Sequence, residues 1–401
     1  MQVKVTRYKQ DITYEDAKGT IFSDTDFLKE FNSILDKRNI KRKNALLLCA
    51  KYLKEIAARY TQSKLFWSLS EAVVRRKIIG RFKKIYYEKC NIAAIKHLAS
   101  DKIVIIAPNH RSVFDFIILS YILVKETTCM PIILAADIFN TFPLGYIFRH
   151  FGAYFVRRNE YDELYSLVFK HYVMLISKFQ LIHMFFIEGG RNKTGGYSMP
   201  KKGILKYIFN GAEKYSKNKD VVFIPVSISY DYVPESNVIV EENKSGKRKH
   251  IFRSVVNYLS TRNLGNCYIN FGGPISVFSF KRSISHNKLI DAFGDYIMER
   301  IKSLATISPT SLICYALLGS DKMEYPEFKK KFTTHYLKLK KSGIDISKIN
   351  LNKINDYIAF ADSKGVIEFD KFAGIIRIDG GKKDLVEYYS NNIIHLLNNI
   401  K

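Results

Sequence analysis

The sequence predicts an α/β fold: a mainly parallel central sheet flanked by helices, with a helical region before it and further helices after it. Three observations support this prediction. Short apolar runs rich in β-branched residues recur between residues 102 and 271, segments with helical spacing alternate with them, and helical spacing alone continues on either side. We therefore expect an N-terminal helical region over residues 1–98, an α/β domain over residues 99–285, and a C-terminal helical region over residues 286–401 that packs on that domain.

The N-terminal region is predicted to be helical from about Asp24 to Leu98. Apolar side chains recur at spacings of three and four from Leu46 to Ala57, and the pattern continues from Leu65 to Ile85 with basic residues between them. Residues before about position 20 are polar and are expected to be weakly ordered, and no apolar segment typical of a signal peptide follows Met1. The pattern indicates helices with a basic outer face.

The predicted strands of the α/β domain are short and separated by helices. They cover residues 102–107, 130–135, 152–156, 183–187, 221–230 and 267–271. Helices are predicted over residues 112–125 and 161–178. From about residue 287 onward the spacing is helical again, and the Lys- and Asn-rich residues 347–353 are interpreted as a linker.

The charge of the chain is high. Its 401 residues include 64 Lys and Arg against 38 Asp and Glu, a formal net charge of +26. Nucleic acid, an anionic membrane surface, or acidic substrates and carriers would each suit this charge, and so would a generally Lys-rich composition. No known nucleic-acid-binding module is present, so we expect no nucleic-acid partner.

Other composition features exclude further classes of protein. No uninterrupted apolar stretch reaches the roughly 18 residues of a membrane-spanning helix, so membrane contact is expected to be peripheral. The five cysteines are scattered, which predicts a reducing compartment and no disulfide framework. Neither cysteines nor histidines have zinc-ligand spacing, so no metal site is expected.

Four short clusters lie in or just after predicted strands, where parallel sheets place their active sites. The first contains Asn109, His110 and Asp115. If His110 precedes a helix and Asp115 lies one turn inside it, the carboxylate can hold one imidazole nitrogen and leave the other to accept a proton from a substrate hydroxyl. Taken alone, the cluster is more simply explained by a capping asparagine and a structural histidine.

The second and third clusters combine glycines with basic residues. In the second, an apolar strand leads from Gly152 to Arg157 and Arg158, which suit a phosphate but are also typical of a solvated turn. In the third, a predicted strand is followed by a glutamate, two glycines and then basic residues. Because glycine has no side chain, a ligand can come close to the backbone there. A flexible surface loop would also explain these glycines.

The fourth cluster is the apolar strand from Phe223 to Tyr230, which contains Pro225. A proline inside a strand predicts an edge strand or a bulge. Such a strand can shape the wall of a pocket, or it can be an ordinary sheet edge.

In this order the four clusters resemble the blocks of the glycerol-3-phosphate and dihydroxyacetone-phosphate acyltransferase family. The family's blocks read NHRS…D, GxxFxRR, EGxRxxTG, and a proline-containing strand that ends near Tyr-Asp or Tyr-Glu. The matching residues here are Asn109 to Ser112 with Asp115, Gly152 with Arg157 and Arg158, Glu188 to Gly195, and Ile224 and Pro225 with Tyr230 and Asp231. The resemblance extends from about residue 45 to the end of the chain.

The resemblance implies an acyltransferase-like α/β catalytic domain. Its expected reaction transfers a fatty acyl group directly from acyl-CoA or acyl carrier protein to sn-glycerol 3-phosphate, which gives lysophosphatidic acid for phospholipid synthesis. His110 is then the expected general base and Asp115 its orienting partner. The residues expected at the substrates are Arg111, Ser112, Arg157, Arg158, Glu188, Gly189, Gly190, Arg191, Lys193, Thr194, Ile224 and Pro225. No cofactor beyond the thioester co-substrate is implied.

Alternatives to this function keep or abandon the same chemistry. Dihydroxyacetone phosphate or a lysophospholipid could be the acceptor, although the paired arginines favour a small, exposed phosphate. The intact His110 and Asp115 argue against a non-catalytic membrane-binding relative.

The third block departs from the family pattern at three positions. Asn192 and Lys193 stand where Ser-Arg is frequent in bacterial members, and Gly196 stands where a basic residue is common. The expected location is the cytoplasmic face of a membrane, bound peripherally to its anionic surface.

Overall fold

The computed structural model describes residues 13–59, 64–140, 144–158, 160–179, 181–246, 251–283, 285, 288–378, 380 and 382–398. Its helices are α1 (Tyr14–Phe22), α2 (Thr25–Arg38), α3 (Arg42–Ile56), α4 (Lys64–Lys77), α5 (Lys89–Asp101), α6 (Asp115–Thr127), α7 (Leu144–His150), α8 (Glu163–Lys178), α9 (Gly203–Tyr215), α10 (Ser236–Ser245), α11 (Ile251–Ser260), α12 (Val277–Lys281), α13 (Leu289–Ser303), α14 (Pro309–Leu317), α15 (Tyr325–Lys341), α16 (Ile354–Ser363), α17 (Lys382–Ser390) and α18 (Ile394–Asn398).

The central sheet confirms the predicted α/β class. Its strands are β1 (Lys84–Tyr86), β2 (Ile103–Pro108), β3 (Ile132–Ala136), β4 (Ala153–Val156), β5 (His183–Met184), β6 (Val221–Tyr230), β7 (Asn266–Phe271) and β8 (Ile275–Ser276). The order is β1-β7-β6-β2-β5-β3-β4, and β8 also pairs with β6. The pairs β1–β7, β6–β2, β2–β5, β5–β3 and β3–β4 are parallel, whereas β7 and β8 run antiparallel to β6.

Alternation along β2 divides the core between the two faces of the sheet. Val104 and Ile106 face a cluster that includes α5, α6, α10 and the helices α14 to α17. Ile103, Ile105 and Ala107 face a second cluster, built with α1, α2, α3, α8, α9 and α13. Helices α1 to α3 therefore pack against one face of the sheet, and helices α14 to α17 pack against the other.

The prediction that Pro225 marks a sheet edge is wrong, because β6 lies in the middle of the sheet. Its residues pair with β2 on one side and with β8 and then β7 on the other. The Pro225 carbonyl accepts a hydrogen bond from Gly272 N at 2.8 Å, so the backbone nitrogen of Pro225 is on the same side of β6. On that side the partner strand changes from β8 to β7. The proline is tolerated at this gap because no strand needs its N–H there.

Two regions predicted as helical also contain strands. Residues 84–86 form β1, which pairs in parallel with β7, so the region over residues 1–98 contributes an edge to the central sheet. The C-terminal region carries an antiparallel sheet of β9 (Lys322–Glu324), β10 (Glu368–Asp370) and β11 (Ile375–Arg377) in the order β10-β11-β9. All of these strands except β7 have three residues, too few for a period of two to be recognised.

Two further predictions need correction. Residues 347–353 are not a linker, because Ile349 is buried and a short 3₁₀ turn at Leu351–Lys353 leads directly into α16. Near the N-terminus, α1 already begins at Tyr14, with Thr13 accepting a hydrogen bond from Asp16 N as its N-cap. The polar residues 1–12 lie outside the described residues.

Candidate active site

The site begins where β2 ends, and a buried asparagine fixes that point. The Asn109 side chain accepts a hydrogen bond from Ile228 N at 2.7 Å and donates one to Ile228 O at 3.1 Å. It therefore continues the pairing of β2 with β6 by one residue, using a side chain in place of a backbone. The chain then turns into α6 with His110 at the sheet's carboxyl edge.

His110 and Asp115 meet directly. Nδ1 of His110 lies 2.9 Å from Oδ2 of Asp115, which also accepts hydrogen bonds from Arg111 N at 2.6 Å and Ser112 N at 2.8 Å. Asp115 is the first residue of α6 rather than one turn inside it, so its buried carboxylate also faces the helix N-terminus. The other oxygen, Oδ1, accepts a hydrogen bond from the Tyr230 hydroxyl at 2.6 Å.

This arrangement fixes the histidine ring and its tautomer. Because a carboxylate only accepts hydrogen bonds, the proton of the neutral ring lies on Nδ1 and Nε2 keeps its lone pair. The ring stacks on Phe186 with centroids 4.0 Å apart, and the side chain is 15% exposed. No hydrogen bond to Nε2 is found within the described residues, so this nitrogen is available to a substrate hydroxyl.

The glycine loop, residues 188–198, is bound to the backbone of His110. Glu188 Oε1 accepts a hydrogen bond from His110 N at 3.0 Å, and Asn192 N donates one to His110 O at 3.0 Å. The second oxygen of Glu188 accepts hydrogen bonds from Ser198 N at 2.7 Å and from the Asn192 amide at 3.3 Å. Glu188 is thus a buried anchor that joins the loop to the histidine.

Glycine is required at some positions of this loop and leaves open space at another. Gly189 and Gly195 have φ of +71° and +81°, and a Cβ at Gly195 would lie 1.7 Å from the Tyr388 carbonyl oxygen. A Cβ at Gly190 would meet only Arg158 Nη2, at 3.7 Å. The backbone at Gly190 therefore borders open space, which is where a ligand can approach.

Arg157, predicted as a phosphate ligand, is already paired with two carboxylates. It binds Glu55 through Nε and Nη2, both at 2.7 Å, and Glu160 through Nη1 at 2.7 Å. Its guanidinium also stacks on Tyr52 and Tyr165. In this structure Arg157 attaches the end of α3 to the α/β domain.

Arg191 and Arg111 are also engaged by protein groups. Arg191 donates to Ser254 Oγ at 3.1 Å and lies 3.9 Å from Glu235 and 3.6 Å from Glu242. Arg111 is buried, donates to the carbonyls of Gly195 and Gly196, and stacks on a tyrosine ring. These contacts stabilise the conformation of the glycine loop from its buried side.

The remaining predicted substrate residues divide between surface and interior. Thr194 and Lys193 lie on the accessible side of the loop. Ser112 is buried and donates to Glu235 Oε1 at 2.9 Å, while Ile224 and Pro225 are buried inside β6. Ser112, Ile224 and Pro225 therefore lie in the buried wall of the site.

Tyr230 and Glu235 are positioning residues to which the sequence analysis gave no role. Burial raises the pKa of Tyr230 well above its ordinary value, and the nearby charge of Asp115 adds to this shift. The Tyr230 hydroxyl therefore stays protonated and donates its hydrogen bond to Asp115. Burial also raises the pKa of Glu235, although Arg191 opposes the shift. Tyr230 stood in the fourth block, but the match assigned it no role. Glu235 carried no sequence signal.

The C-terminal region also reaches the site, although the sequence assigned it no residue there. Asn391 donates from its amide to Thr194 O at 2.9 Å, and the Tyr388 backbone lies against Gly195. Farther back, the Tyr389 hydroxyl accepts a hydrogen bond from Val233 N at 3.0 Å. Their only signal in the sequence was that the family resemblance extends to the end of the chain.

Two family models match most of this chain. A family model described as Acyltransferase matches residues 89–229, and one described as Glycerol-3-phosphate acyltransferase C-terminal region matches residues 248–399. The chain belongs to the glycerol-3-phosphate acyltransferase family. This confirms the resemblance found in the four sequence blocks. Residues 230–247, which include α10, lie between the two matched segments.

The family relatives are considerably longer than this chain. A glycerol-3-phosphate acyltransferase of Actinobacillus succinogenes is 28% identical over 90% of this chain and 47% of its own length. One of Pseudoalteromonas translucida gives the same figures, and one of Aeromonas hydrophila is 31% identical over 73% of this chain and 39% of its own. The chain thus spans about half the length, or less, of these curated relatives.

A solved acyltransferase structure is also similar to this chain. The 1-acyl-sn-glycerophosphate acyltransferase PlsC of Thermotoga maritima covers 72% of this chain and 97% of its own, with a TM-score of 0.39 and 16% identity. Among the helices that the structure describes, none has the length and apolar character needed to cross a membrane.

Proposed function

We propose that this chain is an O-acyltransferase that transfers a fatty acyl group from acyl-CoA or acyl carrier protein to sn-glycerol 3-phosphate, with lysophosphatidic acid as product. The observation that carries the proposal is the His110–Asp115 pair, because no group of the described residues bonds to Nε2 and the glycine loop next to His110 borders open space at Gly190. The names of the family relatives support the choice of acceptor.

The proposed chemistry uses His110 as a general base. Nε2 accepts the proton of the acceptor hydroxyl while the oxygen attacks the thioester carbonyl, and the charge of Asp115 stabilises the imidazolium that forms. Collapse of the tetrahedral intermediate expels the thiolate, which recovers the proton from Nε2. The reaction needs no metal or redox cofactor, because the thioester supplies the activated acyl group.

The test is acyl transfer to labelled sn-glycerol 3-phosphate by the purified chain in the presence of phospholipid. Transfer should depend on the thioester and should fall at least about a hundredfold in His110→Ala, the usual scale for loss of a general base. His97→Ala, at an exposed histidine on α5, is the matched control and should keep full activity. A folded protein that transfers to no acceptor from either thioester would refute the proposal.

The same assay compares acceptors. Dihydroxyacetone phosphate and lysophosphatidic acid should be poorer acceptors than sn-glycerol 3-phosphate. If either one is preferred, the mechanism at His110 stands and the acceptor assignment changes. Comparing acyl-CoA with acyl carrier protein in parallel reactions identifies the donor.

We also propose peripheral binding to an anionic membrane surface at the cytoplasmic face. Helix α4 supports this, because Leu69 and Val73 are 60% and 57% exposed one turn apart and the basic residues 75–77 follow. Sedimentation with vesicles should show binding that requires anionic lipid and weakens with salt. Leu69→Glu should reduce binding, whereas Leu337→Glu, at an exposed leucine of α15, should not.

A further inference from the structure

We infer that Lys201, together with Lys193, binds the phosphate of the acceptor beside the glycine loop. The inference rests on the proposed function and adds to it a residue that none of the four sequence blocks predicted. It begins from a disagreement between the expected arginine ligands and their actual contacts.

Arg157 and Arg191, two of the arginines expected to bind the phosphate, already contact carboxylates of the protein. Arg157 has three 2.7 Å contacts with the carboxylates of Glu55 and Glu160. Arg191 lies between Ser254 and two glutamates. A phosphate would have to compete with these carboxylates, so we expect the net positive charge that it meets to come from other side chains.

Lys201 is fixed next to the anchor of His110. Its backbone N donates to Ile187 O at 2.7 Å, and its side chain lies across Gly189, where a Cβ would be 2.5 Å from Lys201 Cγ. Gly189 follows Glu188, which accepts the hydrogen bond from His110 N. The Lys201 side chain is exposed, and no carboxylate pairs with its ammonium group in the parts of the chain that the structure describes.

Lys193 lies at the other end of the same turn. It follows Asn192, whose backbone N donates to His110 O at 3.0 Å. Its side chain is half-buried and has no ion-pair partner among the described residues. Between the two lysines, Gly190 borders open space with Arg158 Nη2 at 3.7 Å from the position of a Cβ. A doubly charged phosphate would suit a glycine-lined turn flanked by two lysines that no carboxylate of the described residues pairs with.

The neighbouring residue Lys202 provides a matched control. Its ammonium group lies 3.2 Å from both Asp291 and Asp295 of α13, so two carboxylates neutralise its charge. Lys201→Gln and Lys202→Gln therefore remove the same charge one residue apart. Only the first removes it from the glycine loop.

The first experiment measures binding without turnover. Titration calorimetry of the full chain with sn-glycerol 3-phosphate and with inorganic phosphate should give a Kd that rises about tenfold or more in Lys201→Gln. Lys202→Gln should bind as the parent does, and Lys201→Arg should recover most of the affinity. Equal losses in both glutamine variants, or no loss in Lys201→Gln, would overturn the inference.

The second experiment separates this inference from the proposed function. With acyl transfer present, Lys201→Gln should raise the KM for sn-glycerol 3-phosphate and leave kcat and the KM for the thioester within about twofold. A fall in kcat at unchanged KM would contradict a binding role for Lys201. Absence of transfer in the parent protein would refute the proposed function, while the calorimetric comparison would still decide whether Lys201 binds phosphate.

Discussion

The two sides of the candidate site are held in different ways. On the histidine side, Asp115 is bound by residues three to five positions before it and by Tyr230 on the neighbouring β6. On the other side, the glycine loop depends on Asn391, which is 197 positions away from Thr194, and on the backbone of Tyr388 against Gly195. The base is therefore built by the sheet, whereas the loop beside it is supported by the C-terminal region.

This difference separates two kinds of mutational effect. Damage to the histidine side should lower the rate of proton transfer and leave acceptor binding intact. Damage to the loop support should weaken acceptor binding or the fold, because these contacts are distant from Nε2. The C-terminal region, most of which lies within the second family match over residues 248–399, therefore supports the active site.

The largest expected effect is loss of the Asp115 charge. In Asp115→Asn the amide oxygen can still accept from Arg111 N and Ser112 N, so the ring of His110 keeps its place but loses its anionic partner. We expect kcat to fall roughly 10³- to 10⁴-fold with little change in the KM for the acceptor. Asp101→Asn, at an exposed residue ending α5, should leave kcat unchanged. A large rise in KM would show that Asp115 also supports the loop.

The next largest effect should come from the loop. Gly195→Ala places a Cβ against the Tyr388 carbonyl at a positive φ, which costs about 1–3 kcal/mol from the backbone conformation alone. Thermal unfolding should show this loss together with reduced activity. Gly196→Ala is the control, because its Cβ would make only ordinary contacts, with Thr194 Oγ1 at 3.5 Å and Asn391 O at 3.9 Å. Equal effects of the two substitutions would contradict the specific fit between Gly195 and the C-terminal region.

A smaller effect tests the link from β6 to the base. Tyr230→Phe leaves Asp115 Oδ1 buried without its donor, which we expect to cost about 1–3 kcal/mol of stability. A drop in kcat of about tenfold should accompany it. Tyr258→Phe is the control, since its buried hydroxyl has no hydrogen-bond partner within the described residues and its loss should be neutral or stabilising. An unchanged kcat in Tyr230→Phe would confine Tyr230 to a structural role.

The fold was predictable where the chain repeats a strong local pattern. The buried strands β2 and β6 are long apolar runs, and α8 follows a clear helical spacing. The short strands β1, β9, β10 and β11 were missed because three residues carry no recognisable period. The position of Pro225 was misjudged because strand order depends on long-range pairing, which a local pattern does not contain.

For the site, sequence reasoning identified the residue types better than their contacts. His110 and Asp115 are close in sequence, so the short turn between them allowed their meeting to be anticipated. Glu160 is three residues from Arg157, but the other carboxylate partners of Arg157 and Arg191 lie far away in sequence, at Glu55, Glu235 and Glu242. A motif cannot show that an arginine is already paired. For the same reason the role of the C-terminal contacts was not predicted.

The smallest expected effect isolates one such long-range contact. Asn391→Ala removes the amide that donates to Thr194 O, a single partly exposed hydrogen bond worth about 0.5–1.5 kcal/mol. The KM for sn-glycerol 3-phosphate should therefore rise about two- to tenfold, with kcat unchanged, if the bond holds the loop in its acceptor-binding shape. Asn392→Ala, at the adjacent residue, should have no effect on KM. If Asn391→Ala instead lowers kcat at constant KM, the C-terminal region acts on the base as well as the loop, and the division between the two sides of the site does not hold.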